Sequence, residues 1–284
     1  MAKSLHIACI QTQPNSSIDD ALSEALNLAK SAVSKGAEFL FFPEYCGGLM
    51  SENGKLRPPA LPEEIHPFLL SMQDFSKKNK VWIMIGSIAV TAQGGKIFNR
   101  GFVLDCSGKV ISRYDKIHMF DIQLSSDQVI RESAFVSHGS EASIMKTPFG
   151  LIGHSICYDL RFPELYRKMA QAGAEIVCVP AAFTKKTGEA HWHILNRARA
   201  IENGVFIIAP CSVGKVSGGG EAYGHSLIIN PWGQIMADGG SEPGIVYAKI
   251  NLNEVAEARN KIPSLSHDRS FSIALKHRDY RSVA

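Results

Sequence analysis

Cys157 occupies a position from which a thiol could act as a nucleophile. The run Gly150-Leu151-Ile152-Gly153-His154-Ser155-Ile156 reads as a strand ending on Cys157. The residues that follow, Tyr158-Asp159-Leu160-Arg161-Phe162-Pro163-Glu164-Leu165, turn into a helix, with Pro163 suited to its first position. A thiol at such a corner is held on a rigid element near the N–H groups of the turn. Those groups favour a thiolate and can later hold an oxyanion. A buried structural cysteine is the commoner use of the residue, so the position gains meaning only through partners.

Two upstream segments supply them. Glu38-Phe39-Leu40-Phe41-Phe42-Pro43-Glu44-Tyr45 is a strongly apolar strand that delivers the Glu44 carboxylate at its end. Arg113-Tyr114-Asp115-Lys116-Ile117-His118 follows a strand expected over 108–112 and places Lys116 just past it. Catalytic groups in open α/β sheets gather at the carboxyl ends of strands. Singly, Glu44 could cap a turn and Lys116 could be a solvated lysine; three such ends carrying Glu, Lys and Cys are harder to explain that way.

These segments resemble the nitrilase superfamily of carbon–nitrogen hydrolases. The resemblance rests on Phe42-Pro43-Glu44, on Tyr114-Asp115-Lys116-Ile117-His118, and on the run from Gly153 through Cys157 to Glu164. Ala190-His191-Trp192 with Arg197-Ala198-Arg199-Ala200-Ile201-Glu202-Asn203, Tyr223-Gly224-His225-Ser226 and Pro231-Trp232-Gly233 extend it along most of the chain. Thr187-Gly188-Glu189-Ala190-His191-Trp192 is most similar to the Nit branch. That branch implies amides of small carboxylic acids as substrates, deaminated glutathione first and ω-amides such as α-ketoglutaramate next. N-carbamoyl amino acids and nitriles are the neighbouring substrate classes, and a scaffold that has lost turnover is the non-enzyme alternative.

The resemblance implies roles. An amide resists water because its carbonyl is weakly electrophilic and its amine leaves poorly. Glu44 would take the Cys157 proton during attack, return it to the leaving nitrogen, then activate water on the thioester. Lys116, with the Tyr158 backbone N–H, would bind the oxyanion, so Lys116→Ala should leave folded protein with about 100- to 1000-fold less turnover. Glu132, in Arg131-Glu132-Ser133-Ala134, best matches a second family glutamate that holds the lysine or positions substrate. The loop 122–127 lacks the Pro-Gly of many relatives. Arg161 matches an arginine that engages a substrate carboxylate in related carbamoylases, although an internal pairing with Asp159 or Glu164 explains it as well. Phe183 and Thr184 are expected in the pocket wall. The scheme requires no metal and no organic cofactor.

The elements that must position these groups alternate. A helix is expected over 17–35, from apolar positions such as Ile18, Ala21, Leu22 and Ala25 with Gly36 ending it. A second is expected over 62–79, a buried strand over 81–90 and a hairpin over 97–112. After the nucleophile come a helix over 163–171, a strand over 175–180 and a helix over 189–203, then mostly hairpins. This pattern is α/β. The family resemblance adds a four-layer αββα sandwich and a homodimer or larger homo-oligomer built across a helical face. One hydrolase domain over 1–271 with a tail over 272–284 is the expected organisation.

Composition narrows the partners. A net charge of +3 without basic clusters argues against nucleic acid, and no stretch approaches the roughly 20 apolar residues of a membrane span. Six cysteines scattered without paired spacing fit reduced thiols in a cytoplasmic protein. His191 and His193 lie about 200° apart on their expected helix, a poor chelate, so no metal site is expected. The sequence lacks a Gly-x-Ser-x-Gly elbow, which disfavours a serine hydrolase.

Overall fold

The computed structural model of the chain describes residues 4–52, 55–123 and 129–274. Most of the loop 122–127 and of the tail 272–284 therefore lies outside the described residues. The first half of the chain supplies strand β1 (Ser4–Gln11), helix α1 (Ile18–Ser34), β2 (Phe39–Phe41), α2 (Pro67–Asn79), β3 (Trp82–Thr91), β4 (Ile97–Leu104), β5 (Val110–Asp115) and β6 (Val136–Ser137). The second half supplies β7 (Ser143–Thr147), β8 (Gly150–His154), α3 (Pro163–Gln171), β9 (Ile176–Cys178), α4 (Lys185–Asn203), β10 (Phe206–Ala209), β11 (Leu227–Ile229) and β12 (Ile235–Asp238). Strand β13 (Gly244–Asn251) and α5 (Asn253–Lys261) follow.

The strands of the first half, joined by β13 from the far end of the chain, form a sheet in the order β6-β4-β3-β2-β1-β13, with β5 paired to β4. The second half forms another, β7 to β12 in sequence order. Strands β1, β2 and β3 are mutually parallel, as are β8, β9 and β10. Alternation along each strand sends successive side chains to opposite faces. Ile7, Cys9, Phe39, Phe41 and Met84 thus pack against Ile152, Ile176, Cys178, Phe206 and Ile208 between the two sheets. Their neighbours Ala8, Leu40, Ile83 and Ile85 pack outward on Ala25 and Ala29 of α1 and Phe68 and Met72 of α2. On the other side Val177, Ile207 and Ile229 meet Tyr166 and Met169 of α3 and Trp192 and Ala200 of α4. Helix, sheet, sheet, helix is the four-layer αββα sandwich expected.

Helix boundaries depart from expectation for local reasons. Helix α1 starts after Ser17, whose hydroxyl accepts the Asp20 N–H at 3.1 Å. Helix α2 begins at Pro67, not 62, because the residue before a proline is pushed out of the helical region; His66 is extended. Helix α4 begins four residues early, at Lys185, and runs through Gly188. A Cβ at Gly188 would lie 2.3 Å from the Tyr223 ring, so glycine is what lets this helix sit so close. Strand β8 stops at His154, and Cys157 opens a separate 3-10 turn, Cys157–Arg161. Asp159 bends the chain there by accepting the Ile156 N–H at 2.8 Å.

Candidate active site

The carboxyl ends of β2, β5 and β8 converge. From β2, Phe42 and Pro43 lead to Glu44 along β3, with the Phe42 N–H on the Met84 carbonyl at 2.9 Å. The two sheets pinch at Gly86, where a Cβ would stand 2.1 Å from the Phe42 carbonyl oxygen and 2.4 Å from Pro180. Lys116 follows β5 directly, and its N–H donates to the Asn99 carbonyl of β4 at 3.0 Å. The Cys157 N–H donates to the Pro180 carbonyl at 2.9 Å, beyond the end of β9.

The four side chains expected at the site meet. Lys116 Nζ lies 2.9 Å from Glu44 Oε1 and 3.0 and 2.9 Å from the two oxygens of Glu132. Glu44 also accepts from Asn99 Nδ2 at 2.8 Å and from the Ala182 N–H at 2.9 Å. Glu132 accepts the Phe120 N–H at 2.6 Å. The Cys157 thiol is within hydrogen-bond reach of the Glu44 carboxylate. Lys116, Glu44 and Glu132 are only 2%, 4% and 1% exposed, so every charge here acts at low dielectric.

Burial and mutual charge set the protonation of the group. Burial first, and then the Glu44 charge and hydrogen bond, push the Cys157 thiol well above its usual range, outweighing Lys116. The resting sulfur is therefore a thiol, not the thiolate that the turn alone would favour, and it needs a base at the moment of attack. Burial alone would lower Lys116, yet Glu132 and Glu44 overcome it and hold the ammonium well above the ordinary lysine range. Glu132 is raised by its own burial and by the Glu44 charge, against the pull of Lys116. This arrangement holds a fixed cation beside a thiol and a carboxylate able to accept its proton.

Backbone strain marks the same place. Tyr45 and Cys157 have φ of 51° and 49°, the left-handed region, at roughly 1–3 kcal/mol for a residue with a side chain. The Ser87 hydroxyl holds the Tyr45 N–H at 2.9 Å. Tyr45 is 4% exposed and lines the cavity above the four groups, and its hydroxyl has no hydrogen-bond partner among the described residues.

That cavity measures about 430 Å³. Tyr158, Phe183 and Thr184 line it, with Lys185 and Lys186 also in its wall. Arg161 is not among the lining residues but lies beside two that are. Its guanidinium lies over the Tyr158 and Phe183 rings, with Nη1 3.3 Å from His191 Nδ1, and is paired with neither Asp159 nor Glu164. Asp159 instead accepts from Tyr114 Oη at 2.7 Å and from the His118 N–H at 3.0 Å, tying the lysine and cysteine segments together. Ser155 is a core hydroxyl, on Tyr166 Oη at 2.8 Å and the Cys178 carbonyl at 2.9 Å. Burial pushes His154 down to about 4, so it stands neutral beside Gly86. Asn99 and Tyr45 are the site groups that sequence reading missed. An amide inside the apolar strand 97–104, and an aromatic directly after Glu44, were the available signals.

The family model described as carbon-nitrogen hydrolase matches residues 6–260. The chain is 37% identical over 265 residues to the deaminated glutathione amidase of Synechocystis, covering 92% of this chain and 96% of that protein. It is 34% identical over 268 residues to omega-amidase NIT2 of Homo sapiens, covering 94% and 96%. Among solved structures, the C. elegans NitFhit protein superposes with a TM-score of 0.86 at 30% identity, over 95% of this chain and 66% of that one. Saccharomyces cerevisiae Nit3 superposes with a TM-score of 0.77 at 26% identity, over 92% of this chain and 95% of that one.

Proposed function

The chain belongs to the carbon–nitrogen hydrolase family, and from that premise we propose that it hydrolyses the amide of a small carboxylic acid through a thioester on Cys157. Glu44 removes the thiol proton as sulfur bonds to the amide carbon. Lys116 and the Tyr158 N–H hold the oxyanion so formed. Collapse breaks the C–N bond, and the proton on Glu44 passes to nitrogen, which leaves as ammonia. Glu44 then takes a proton from water, whose oxygen attacks the thioester carbon. The C–S bond breaks and the proton returns to sulfur. Glu132 keeps the Lys116 ammonium in place throughout. The observation that carries this reading is the convergence of Glu44, Lys116 and Cys157 at the floor of one cavity.

Deaminated glutathione, the substrate in the name of the Synechocystis relative, is the best candidate. A cavity of about 430 Å³ with Lys186 in its wall, beside Lys185 paired to Glu221 at 2.8 Å, suits an acyl group that extends beyond the reacting carbon and ends in a carboxylate. A short ω-amide is the second reading, supported by the likeness to omega-amidase. An N-carbamoyl amino acid is the remaining alternative, with Arg161 over the Tyr158 and Phe183 rings of the cavity wall as the group nearest to its motive. Ammonia release should be measured with deaminated glutathione and α-ketoglutaramate side by side. The former should show the larger kcat/KM, Cys157→Ala should abolish release from both, and acid quenching should trap an acyl group on Cys157. Undiminished release by Cys157→Ala would reject the nucleophile.

Self-association is part of the same reading. Ile194 and Ile201 share one face of α4 and are 69% and 53% exposed; Trp232, in the turn beside Ile201, is 58% exposed. A second copy of the chain is the occupant proposed for this face, and light scattering of Ile194→Asp should report a smaller particle. The six free cysteines fit a reducing compartment such as the cytoplasm. No helix among the described residues is long and apolar enough to cross a membrane.

A further inference from the structure

On the far side of the cavity wall, three side chains of metal-ligating type from three separate segments converge. His193 of α4 places Nε2 2.9 Å from Asp238 Oδ2, and His225 places Nδ1 2.9 Å from Asp238 Oδ1. One ligand atom from each lies within 4.8 Å of the other two. Asp238 ends β12, and His225 lies in the loop before β11 with φ of 53°. We propose that His193, His225 and Asp238 bind one divalent transition-metal ion, with Zn²⁺ the best match.

The donor set fits such an ion. Two imidazoles and a carboxylate are borderline and hard ligands that suit Zn²⁺ better than Ca²⁺ or Mg²⁺, which favour all-oxygen shells. At zinc–ligand distances of about 2.0–2.2 Å, neighbouring donors in a tetrahedron stand about 3.3 Å apart; the two imidazoles contact different oxygens of Asp238 at 2.9 Å and one donor from each residue lies within 4.8 Å of the others, so side-chain rotation has to draw the set onto one ion. The three side chains are 27–33% exposed, which leaves a fourth position to water.

The supports around the ligands are those a metal site uses. The Gly240 N–H donates to Asp238 Oδ1 at 2.9 Å, orienting the carboxylate. Tyr223 stacks on the His225 ring at 4.5 Å. The His225 N–H donates to the Gly240 carbonyl at 2.7 Å, and its carbonyl accepts the Trp192 indole N–H at 2.8 Å. Trp192 packs on Phe183 at 5.0 Å, and the Tyr223 N–H donates to the Phe183 carbonyl at 2.8 Å. A bound ion would therefore pin α4 to β12 directly behind the wall that carries Phe183, while taking no part in the chemistry at Cys157. The helix-spacing reading weighed only His191 with His193; the partners of His193 arrive from distant strands.

The test uses the full chain carrying Cys157→Ser, so that the active-site thiol does not compete. After stripping with a chelator, Zn²⁺ is titrated against a chromophoric chelator and Co²⁺ binding is followed by visible absorption. One Zn²⁺ per chain is expected, with Co²⁺ d–d bands and no thiolate charge-transfer band. His193→Gln and Asp238→Asn should each weaken binding by about 100-fold or more, beyond what an outer-shell partner usually contributes. Zn²⁺ should raise Tm in the parent and not in either variant, whose metal-free Tm and circular dichroism establish that they are folded. Binding or a Tm shift that survives in both folded variants, a thiolate band, or absence of stoichiometric binding would overturn the site.

Discussion

Strands β4 and β5 carry two charged networks back to back. Asn99 and Lys116 reach into the site with Glu44 and Glu132. Their immediate neighbours Arg100 and Asp115 make a network on the other face. Arg100 grips Asp115 at 2.7 and 2.9 Å and reaches Glu63 at 3.0 Å, which also takes Arg113 at 2.6 Å. The residue types are similar, but the surroundings are not. The inner group is at most 4% exposed, whereas Arg100, Asp115 and Glu63 are 16–22% exposed and Arg113 is 49% exposed. In the inner group each ion has lost its water and is solvated by the others, by Asn99 and by backbone N–H groups. That penalty is tolerated where chemistry needs a fixed cation beside a thiol. The outer group remains partly hydrated, and its natural role is to staple a strand pair.

Removing Lys116 should be the most damaging way to break the contrast. Lys116→Met deletes the oxyanion cation, and turnover should fall about 100- to 1000-fold. It also leaves Glu44 and Glu132 facing each other without water. Losing one partner of a buried ion pair costs about 3–5 kcal/mol, reduced here to the extent that Glu132 takes a proton. Tm should therefore fall together with kcat, a stronger effect than sequence reading anticipated for this lysine. Full stability with lost turnover would mean that the inner group is hydrated after all.

How far the inner group was legible follows from which side of a strand end each residue occupies. Glu44 and Lys116 could be read because each stands just beyond a strongly apolar or alternating run, and Cys157 because a proline-started helix follows it. Glu132 could not be read from pattern. Its segment, 129–134, has no strong periodicity, and only resemblance singled it out. Asn99 was hidden because one amide in an apolar strand looks like a fault in the alternation until its partner is known. Arg161 could not be assigned from sequence because its position there says nothing about direction; in the fold it lies over the Tyr158 and Phe183 rings. The outer network was invisible because Glu63 reaches Arg100 and Arg113 from a segment 37 and 50 residues away in sequence.

A smaller effect sharpens the inner side. Tyr45 lines the cavity, and its hydroxyl is buried without a partner among the described residues, so a bound amide that reaches it would be its first partner. Tyr45→Phe should raise KM roughly 2- to 10-fold, the worth of one hydrogen bond of 0.5–1.5 kcal/mol. Tm should hold or rise, because an unpaired buried hydroxyl is removed. An unchanged KM for every amide tested would make Tyr45 a packing residue.

Acid and base should pull the two networks in opposite directions. Glu63 is partly buried, which would raise it, but its hydrogen bonds and charges from Arg113 and Arg100 leave it below its usual value of 4.5. A depressed carboxyl adds stability that is present above 4.5 and lost as pH falls through the folded value. Glu132 is raised from 4.5, by burial first and the Glu44 charge after it. A raised carboxyl favours the folded state below 4.5, and that contribution disappears as pH climbs through its folded value. Melting curves across pH 3–8 should then separate them: Glu63→Gln flattens the acid limb below 4.5, and Glu132→Gln flattens the slope above it. Identical profiles for both variants would erase the distinction.

The smallest effect tests whether the two faces are independent. Arg100→Ala removes a bidentate ion pair and a second carboxylate contact, but each exposed pair contributes only about 0.2–1 kcal/mol. A total near 1–2 kcal/mol corresponds to a fall in Tm of about 2–8 °C for a chain of this size. Because the strand pair is also held by backbone hydrogen bonds through five paired residues on each strand, Lys116 should keep its position and kcat/KM should stay within about twofold. A much larger loss of kcat with little change in Tm would mean that the outer staple sets the register from which Lys116 is aimed. The two networks would then be one device sharing a pair of strands, not a site and a staple set back to back.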